Sequence, residues 1–200
     1  MIKSAVLPLL LILSGPYSEP DVRSHLDLMR KDARRSMSVD PPDGEYFYKV
    51  TLELKARRVL EIGTSTGYSG AWFAMALKKT GGRLITLEID PDRHADAKKN
   101  FDAMNLADVV DARLCNALVE LPRIEAPLDV VFIDAWKPDY LKYYELVLPK
   151  VRAGGVILAH NTKNAAGPMK DFLDRIQKDP AVRTEFLPES MQGLSISWKK

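Results

Sequence analysis

Apolar and polar positions along the chain follow two rhythms. Val59-Leu60-Glu61-Ile62 is a short apolar run carrying one acid, and the turn Gly63-Thr64-Ser65-Thr66-Gly67 follows it at once. Beyond the turn Trp72, Phe73, Met75 and Ala76 recur at helical spacing, which makes a strand, a tight loop and a helix. The same succession repeats, with strands predicted near 58–63, 83–89, 109–115, 128–134 and 155–160 and helical segments between them. Such alternation gives a parallel sheet covered by helices on both faces. Ahead of it, Pro20 marks a helix start, and Val22, Leu26, Leu28 and Met29 form an apolar face through about Arg35. Residues 38–44 read as a loop on turn chemistry, and a second helix, about 44–56, carries Tyr46, Phe47, Val50 and Leu54. Gly154-Gly155 marks the entry to the fifth strand. A helix near 167–178 follows, then two strand-like runs, Val182 to Leu187 and Leu194 to Trp198. The loop between those runs is too short for a parallel crossover, so they pair antiparallel.

Composition narrows the class without naming it. Two hundred residues, 46% hydrophobic and 28% charged, suit one globular domain, and no internal repeat or second domain is visible. Within 1–200 the expected division is an apolar segment over 1–16, N-terminal helices over 17–56 and a ligand-binding core over 57–200. A net charge of +2 with scattered Lys and Arg disfavours nucleic acid as a partner. The single cysteine, Cys115, rules out an internal disulfide or a cysteine zinc site. Lys3 and the run from Ala5 to Leu13 look like a signal-peptide core, yet no small-x-small cleavage site follows. The expectation is a packed apolar helix ended by Gly15-Pro16 in a cytoplasmic protein. Membrane contact through residues 5–13, or export, is the alternative.

The turn after the first strand reads G-x-S-x-G rather than G-x-G-x-x-G, so no pyrophosphate cradle is implied. Glu61 would repel a phosphate and suits an ammonium group. Glu88 ends the next strand, where two carboxylate oxygens can grip ribose hydroxyls. The pair suits a zwitterionic nucleoside. In open α/β sheets the ligand lies beyond the carboxyl ends of the strands. Cys115 with Asn116, Asp134 through Lys137, and His160 with Asn161 all stand at such ends. Asp134, His160 and Asn161 make a reasonable set for a divalent cation. Lys137, close to a cation and partly desolvated, would serve as a general base. Taken singly, Asp134 can cap a loop and His160 can be a satisfied polar residue; taken together, the cluster reads as a site.

These motifs resemble those of the class I S-adenosylmethionine-dependent O-methyltransferases, in particular the small, metal-dependent catechol O-methyltransferase-like branch. Leu60 to Ser69 resembles its first motif and Thr86-Leu-Glu-Ile-Asp-Pro91 its second, while Phe132 to Lys137 resembles the segment with the metal aspartate and catalytic lysine. The resemblance implies an α/β, Rossmann-like, seven-stranded methyltransferase sheet, mostly parallel with an antiparallel C-terminal strand. It implies that Glu61, Gly63 and Ser69, in the loop with Ser65, Gly67 and Tyr68, hold the methionine end of the cofactor, and Glu88 the ribose. Ile89 and Trp136 would flank the adenine, with Cys115 and Asn116 near its edge. Val39 and Met37 belong to a loop that closes over the sulfonium. Asp134, His160 and Asn161 would bind the metal, and Met37, Lys137, Asn161 and Glu189 would meet the substrate.

Three positions depart from that pattern: His160-Asn161 in place of Asp-Asn, Asn116 in place of an acid, and Arg35 in place of a tryptophan. Exchanging a carboxylate for an imidazole weakens Mg²⁺ and favours a softer ion such as Mn²⁺, or abolishes metal binding and leaves His160 as a base. The implied reaction is an in-line displacement that moves a methyl group to a hydroxyl of a small catechol or other vicinal-diol aromatic, with Asp134 and Lys137 at its centre. Two alternatives stand beside it: methylation of a hydroxylated uridine in transfer RNA, and a cofactor-binding protein that has lost its metal site. The resemblance leaves room for a homodimer.

Overall fold

The computed structural model describes residues 16–31 and 38–200. Expectations for the apolar N-terminal segment, for Arg35 and for Met37 therefore lie outside the described residues. Seven strands form one sheet: β1 (Arg58–Ile62), β2 (Arg83–Glu88), β3 (Val110–Leu114), β4 (Leu128–Ile133), β5 (Val151–His160), β6 (Val182–Phe186) and β7 (Leu194–Lys199). Their order is β3–β2–β1–β4–β5–β7–β6. The first five run parallel, and β7 lies antiparallel to both β5 and β6. The α/β class, the parallel core and the antiparallel ending follow the expectation from the sequence.

The helices are α1 (Glu19–Lys31), α2 (Pro41–Glu53), α3 (Tyr68–Thr80), α4 (Pro91–Ala103), α5 (Ala117–Glu120), α6 (Tyr140–Val147) and α7 (Lys170–Lys178). They cover both faces, which explains why β4 is apolar without alternation. Val130 and Phe132 point to one side, where Phe47 of α2 and Phe73 of α3 stack with ring centroids 4.8 Å apart. Val131 and Ile133 point to the other, against Tyr140, Tyr144 and Phe172.

Two boundaries differ from the sequence reading. The stretch expected as a loop, 38–44, is already helical from Pro41, with proline in the first turn. Proline suits that place, because first-turn N–H groups have no intrahelical partner to lose. The fifth strand begins at Val151, not near Gly155, and Gly154 (φ +72°) sits inside it where the register against β4 shifts. Glycine there marks an irregularity within a strand rather than its entry.

Chain order explains where a ligand can sit. From β1 the sheet grows outward through β2 and β3, then the chain returns to place β4 on the other side of β1. Loops leaving β1 and β4 diverge at that reversal and leave a crevice at the strand tips. Among the described residues no helix is long and apolar enough to cross a membrane.

Candidate functional site

A cleft of about 840 Å³ opens at the reversal and is lined by residues from the ends of β1 to β5. At the tip of β1 the chain turns at Gly63, whose φ is +101° and whose missing Cβ would stand 2.1 Å from the Asp134 carbonyl oxygen. Only glycine lets the β1 and β4 loops touch there. Gly63, Ser65, Tyr68 and Ser69 line the cleft, and the uncapped first turn of α3 begins there.

Glu61 lies beneath this loop and is fully buried. Its carboxylate accepts the Ser69 hydroxyl at 2.6 Å and the Thr86 hydroxyl at 2.6 Å. Burial, only partly offset by those two hydroxyls, pushes the Glu61 carboxyl up to about 8. The direct ammonium contact expected of Glu61 is not available in this geometry: the side chain stands behind Ser69, outside the cleft lining. Its effect reaches the cleft through the orientation of Ser69.

Glu88 ends β2 with its carboxylate in the cleft. One oxygen accepts the Ser65 backbone N–H at 2.7 Å; the other accepts those of Ile89 and Asp90 at 2.9 and 3.0 Å. Three amides fix the group, and of its four lone-pair sites the one left, on the oxygen that accepts Ser65, remains for a further donor. Beside it Ile89 and Trp136 face the cleft while 68% and 69% exposed. Cys115 follows β3, with its thiol pushed up by burial, and Asn116 accepts the Leu118 amide as the cap of α5. Both line the same end of the cleft.

At the opposite end Lys137 Nζ donates to Asp134 Oδ1 at 2.7 Å and stands 5.2 Å above the Tyr140 ring. Asp134 Oδ2 meets His160 Nδ1 at 3.2 Å. The other ring nitrogen, Nε2, meets Oδ2 of Asp43 at 3.1 Å, and the Ser190 hydroxyl donates to that same oxygen. Asp43 and His160 are 0% and 1% exposed. Burial alone would lower the His160 imidazole, but its bonds to Asp134 and Asp43 prevail and raise it to about 9. Burial likewise opposes ionisation of Asp134, yet His160 and Lys137 hold its carboxyl below the ordinary range. Asp43, His160, Asp134 and Lys137 thus alternate in charge along one chain of contacts.

That chain corrects the expected metal set. Carboxylates only accept, so an imidazole held between two of them carries hydrogen on both nitrogens and has no lone pair for an ion. Both Asp134 oxygens are also engaged, and the Asn161 amide donates to Gln192. Among the described residues no group of three His, Cys, Asp or Glu side chains is placed to hold a metal. The residues present do not fit a divalent cation.

Other expected residues sit apart. Val39 is buried, Gly67 packs on the Phe101 ring, and Glu189 is exposed; none of the three lines the cleft. From the β6–β7 loop the cleft instead receives Gln192, whose Oε1 accepts from Asn161 and Asn164. Asp43, Ser190 and Gln192 escaped the sequence reading. The signal for Asp43 was an acid beside Pro41-Pro42, in a stretch taken for a turn.

Comparisons with known proteins agree with this geometry. The family model described as O-methyltransferase matches residues 21–186. A catechol O-methyltransferase of Niastella koreensis is 38% identical over 154 residues, covering 74% of this chain and 66% of that protein. One of Mycobacterium tuberculosis is 34% identical, covering 69% of this chain and 63% of that protein. The chain thus spans just under two thirds of the length of these curated relatives. The structure of the O-methyltransferase from Bacillus cereus, in complex with SAH, superimposes with a TM-score of 0.79 at 27% identity, covering 94% of each chain.

Proposed function

The chain belongs to the O-methyltransferase family, and on that footing we propose that it moves a methyl group from S-adenosylmethionine to a hydroxyl of a small, catechol-like aromatic. The observation that carries the proposal is the pairing of two ends in one cleft. A carboxylate fixed for diol recognition, Glu88, stands at one end, and a paired lysine, Lys137, at the other.

The residues fit the nucleoside. Glu88 keeps a lone pair for a ribose hydroxyl, while Ile89 and Trp136 offer exposed apolar faces for a purine. The free N–H groups of the first turn of α3, with Ser69 aimed by Glu61, suit the carboxylate of the methionine end. S-adenosylmethionine brings the methyl group already activated on a sulfonium. What the protein adds is position and a base. Fixing both partners in line for attack is worth roughly 7–11 kcal/mol, the largest contribution here. Lys137, once its ammonium has released a proton to solvent, accepts the hydroxyl proton as the new bond to carbon forms, a role worth about 10²–10⁴ in rate. A cytoplasmic setting, where the nucleoside is available, belongs to the same proposal.

The test is transfer of labelled methyl from S-adenosylmethionine to a panel of catechols and phenols, beside calorimetry with S-adenosylhomocysteine. Binding of the nucleoside with label reaching an aromatic hydroxyl supports the reading. Absence of both defeats it.

A further inference from the structure

We propose that the side-chain relay Asp43–His160–Asp134–Lys137 replaces a divalent cation in this protein, so that methyl transfer proceeds without metal and a single aromatic hydroxyl suffices as acceptor. The inference rests on the methyltransferase reading and specifies how that site works.

The geometry carries it. A cation at the tips of β4 and β5 would need Asp134, the residue at 160 and Asn161 to turn lone pairs toward one point. Here the ring of His160 lies between Asp43 Oδ2 at 3.1 Å and Asp134 Oδ2 at 3.2 Å, so both nitrogens present hydrogen. The ring is 1% exposed, lies tilted against Phe132 with centroids 6.4 Å apart, and borders the cleft with both nitrogens already engaged. Asp134 has given one oxygen to His160 and the other to Lys137, with Tyr140 at 3.4 Å on that same oxygen. Of these three side chains that leaves the amide oxygen of Asn161, a neutral donor, where a hard cation is ordinarily held by one or two carboxylates and completes its shell with water.

Two tasks fall to a cation in such a site: it offsets the carboxylates, and it pins the acceptor. The relay performs the first with the protein's own charges, because the two acids alternate with His160 and Lys137. It performs part of the second by fixing Lys137. Asp43 comes from α2, which packs across the sheet, and Ser190 from the β6–β7 loop clamps its oxygen at 3.1 Å. Asp43 and His160 touch no reacting atom in this scheme. They are positioning residues that hold Asp134, and Asp134 holds Lys137.

A consequence for the acceptor follows. Preference for two neighbouring hydroxyls comes from chelation, which needs an ion with two open positions. Without one, a lone hydroxyl within reach of Lys137 meets every requirement of the step. The Lys137 ammonium has first given a proton to solvent; the hydroxyl proton then passes to the resulting amine, which restores the ion pair with Asp134, and an oxygen lone pair forms the bond to the methyl carbon. The carbon–sulfur bond breaks with its electron pair onto sulfur.

The test needs no knowledge of the natural acceptor. The protein, loaded with S-adenosylhomocysteine, is titrated with Mn²⁺ and followed by calorimetry and by the spin resonance of the ion. No bound Mn²⁺ is expected; one equivalent bound at this site overturns the proposal. Transfer to catechol and to phenol is then measured with chelator, with Mg²⁺ and with Mn²⁺. Equal rates in all three, with both acceptors methylated, are expected. Activity lost to chelator and restored by metal, or confined to catechol, overturns it. In Asp43→Asn, kcat should fall about tenfold while KM for S-adenosylmethionine stays put, the mark of a loosened base rather than a lost nucleoside site. An unchanged kcat removes Asp43 from the relay. Failure of the wild-type protein both to bind S-adenosylhomocysteine and to methylate any acceptor would strike the methyltransferase reading itself. Metal-dependent transfer strikes the relay alone.

Discussion

The hydroxyl of Ser69 donates to the buried carboxylate of Glu61 at 2.6 Å, so the first turn of α3 is tied to the strand beneath it. Replacing Glu61 by Ala takes this acceptor from Ser69 at the cleft and from the fully buried Thr86. A loss of about 2–4 kcal/mol in urea unfolding is expected, with weaker binding of S-adenosylhomocysteine. Glu61→Gln keeps shape and hydrogen bonding, and should lose far less. Equal stability for Ala and Gln would mean that the carboxylate holds nothing in place.

Glu88 is fixed by three backbone amides and offers its remaining lone pair to the cleft. Removing a hydrogen bond to a charged acceptor costs about 1.5–3 kcal/mol. Glu88→Ala should therefore weaken S-adenosylhomocysteine about ten- to a hundredfold in calorimetry. Adenine alone should be scarcely affected, since it has no diol to lose. A matching loss for adenine would place the defect in the loop rather than at the diol.

Lys137→Ala removes the base and leaves the nucleoside end of the cleft intact. Turnover should drop about 10²–10⁴-fold with S-adenosylhomocysteine affinity unchanged. If affinity collapses alongside turnover, the lysine is a structural prop.

Two buried groups set the response of stability to pH. His160 rises on folding from 6.5 to about 9, and Glu61 from 4.5 to about 8. A group whose pKa rises on folding stabilises in full below its unfolded value and loses that contribution as pH climbs through the folded one. The His160 share, on the order of 3 kcal/mol at most, fades between about 6.5 and 9. The Glu61 share fades earlier, from about 4.5 to about 8, and so overlaps the lower part of that range. Asp134, held below its ordinary value, works in the opposite sense and only in acid. The unfolding midpoint in urea should fall steadily from pH 6.5 to 9, and less steeply in Glu61→Gln. A midpoint that rises over that interval contradicts the buried imidazolium.

Much of the architecture could be read locally. The run Val130 to Ile133 is apolar at every position because helices cover both faces, and the seven residues between β6 and β7 admit only a hairpin-like return. Glu88 and Asp134 were legible because each stands at the tip of a strand whose pattern fixes its direction, and Lys137 because it follows Asp134 by three residues. Asp43 was not, because its meaning depends on His160, 117 residues away in sequence. Pro41-Pro42-Asp43-Gly44 carries turn residues, and nothing local says that the prolines open a helix. The pairing that argues against the expected metal was hidden for a related reason. Residue type and spacing suggested a third ligand at 160, but the partner that occupies that imidazole comes from another layer of the fold. In the β6–β7 loop, likeness pointed to Glu189 where packing selects Gln192, since the side chain that reaches the cleft depends on the turn at Gly193.

Ile89 and Trp136 keep large apolar faces in water at the mouth of the cleft. A purine sliding between them strips hydration from both at once, and that leaves a thermodynamic signature of its own. The association should carry a negative heat-capacity change, so its enthalpy grows more favourable as the solution warms.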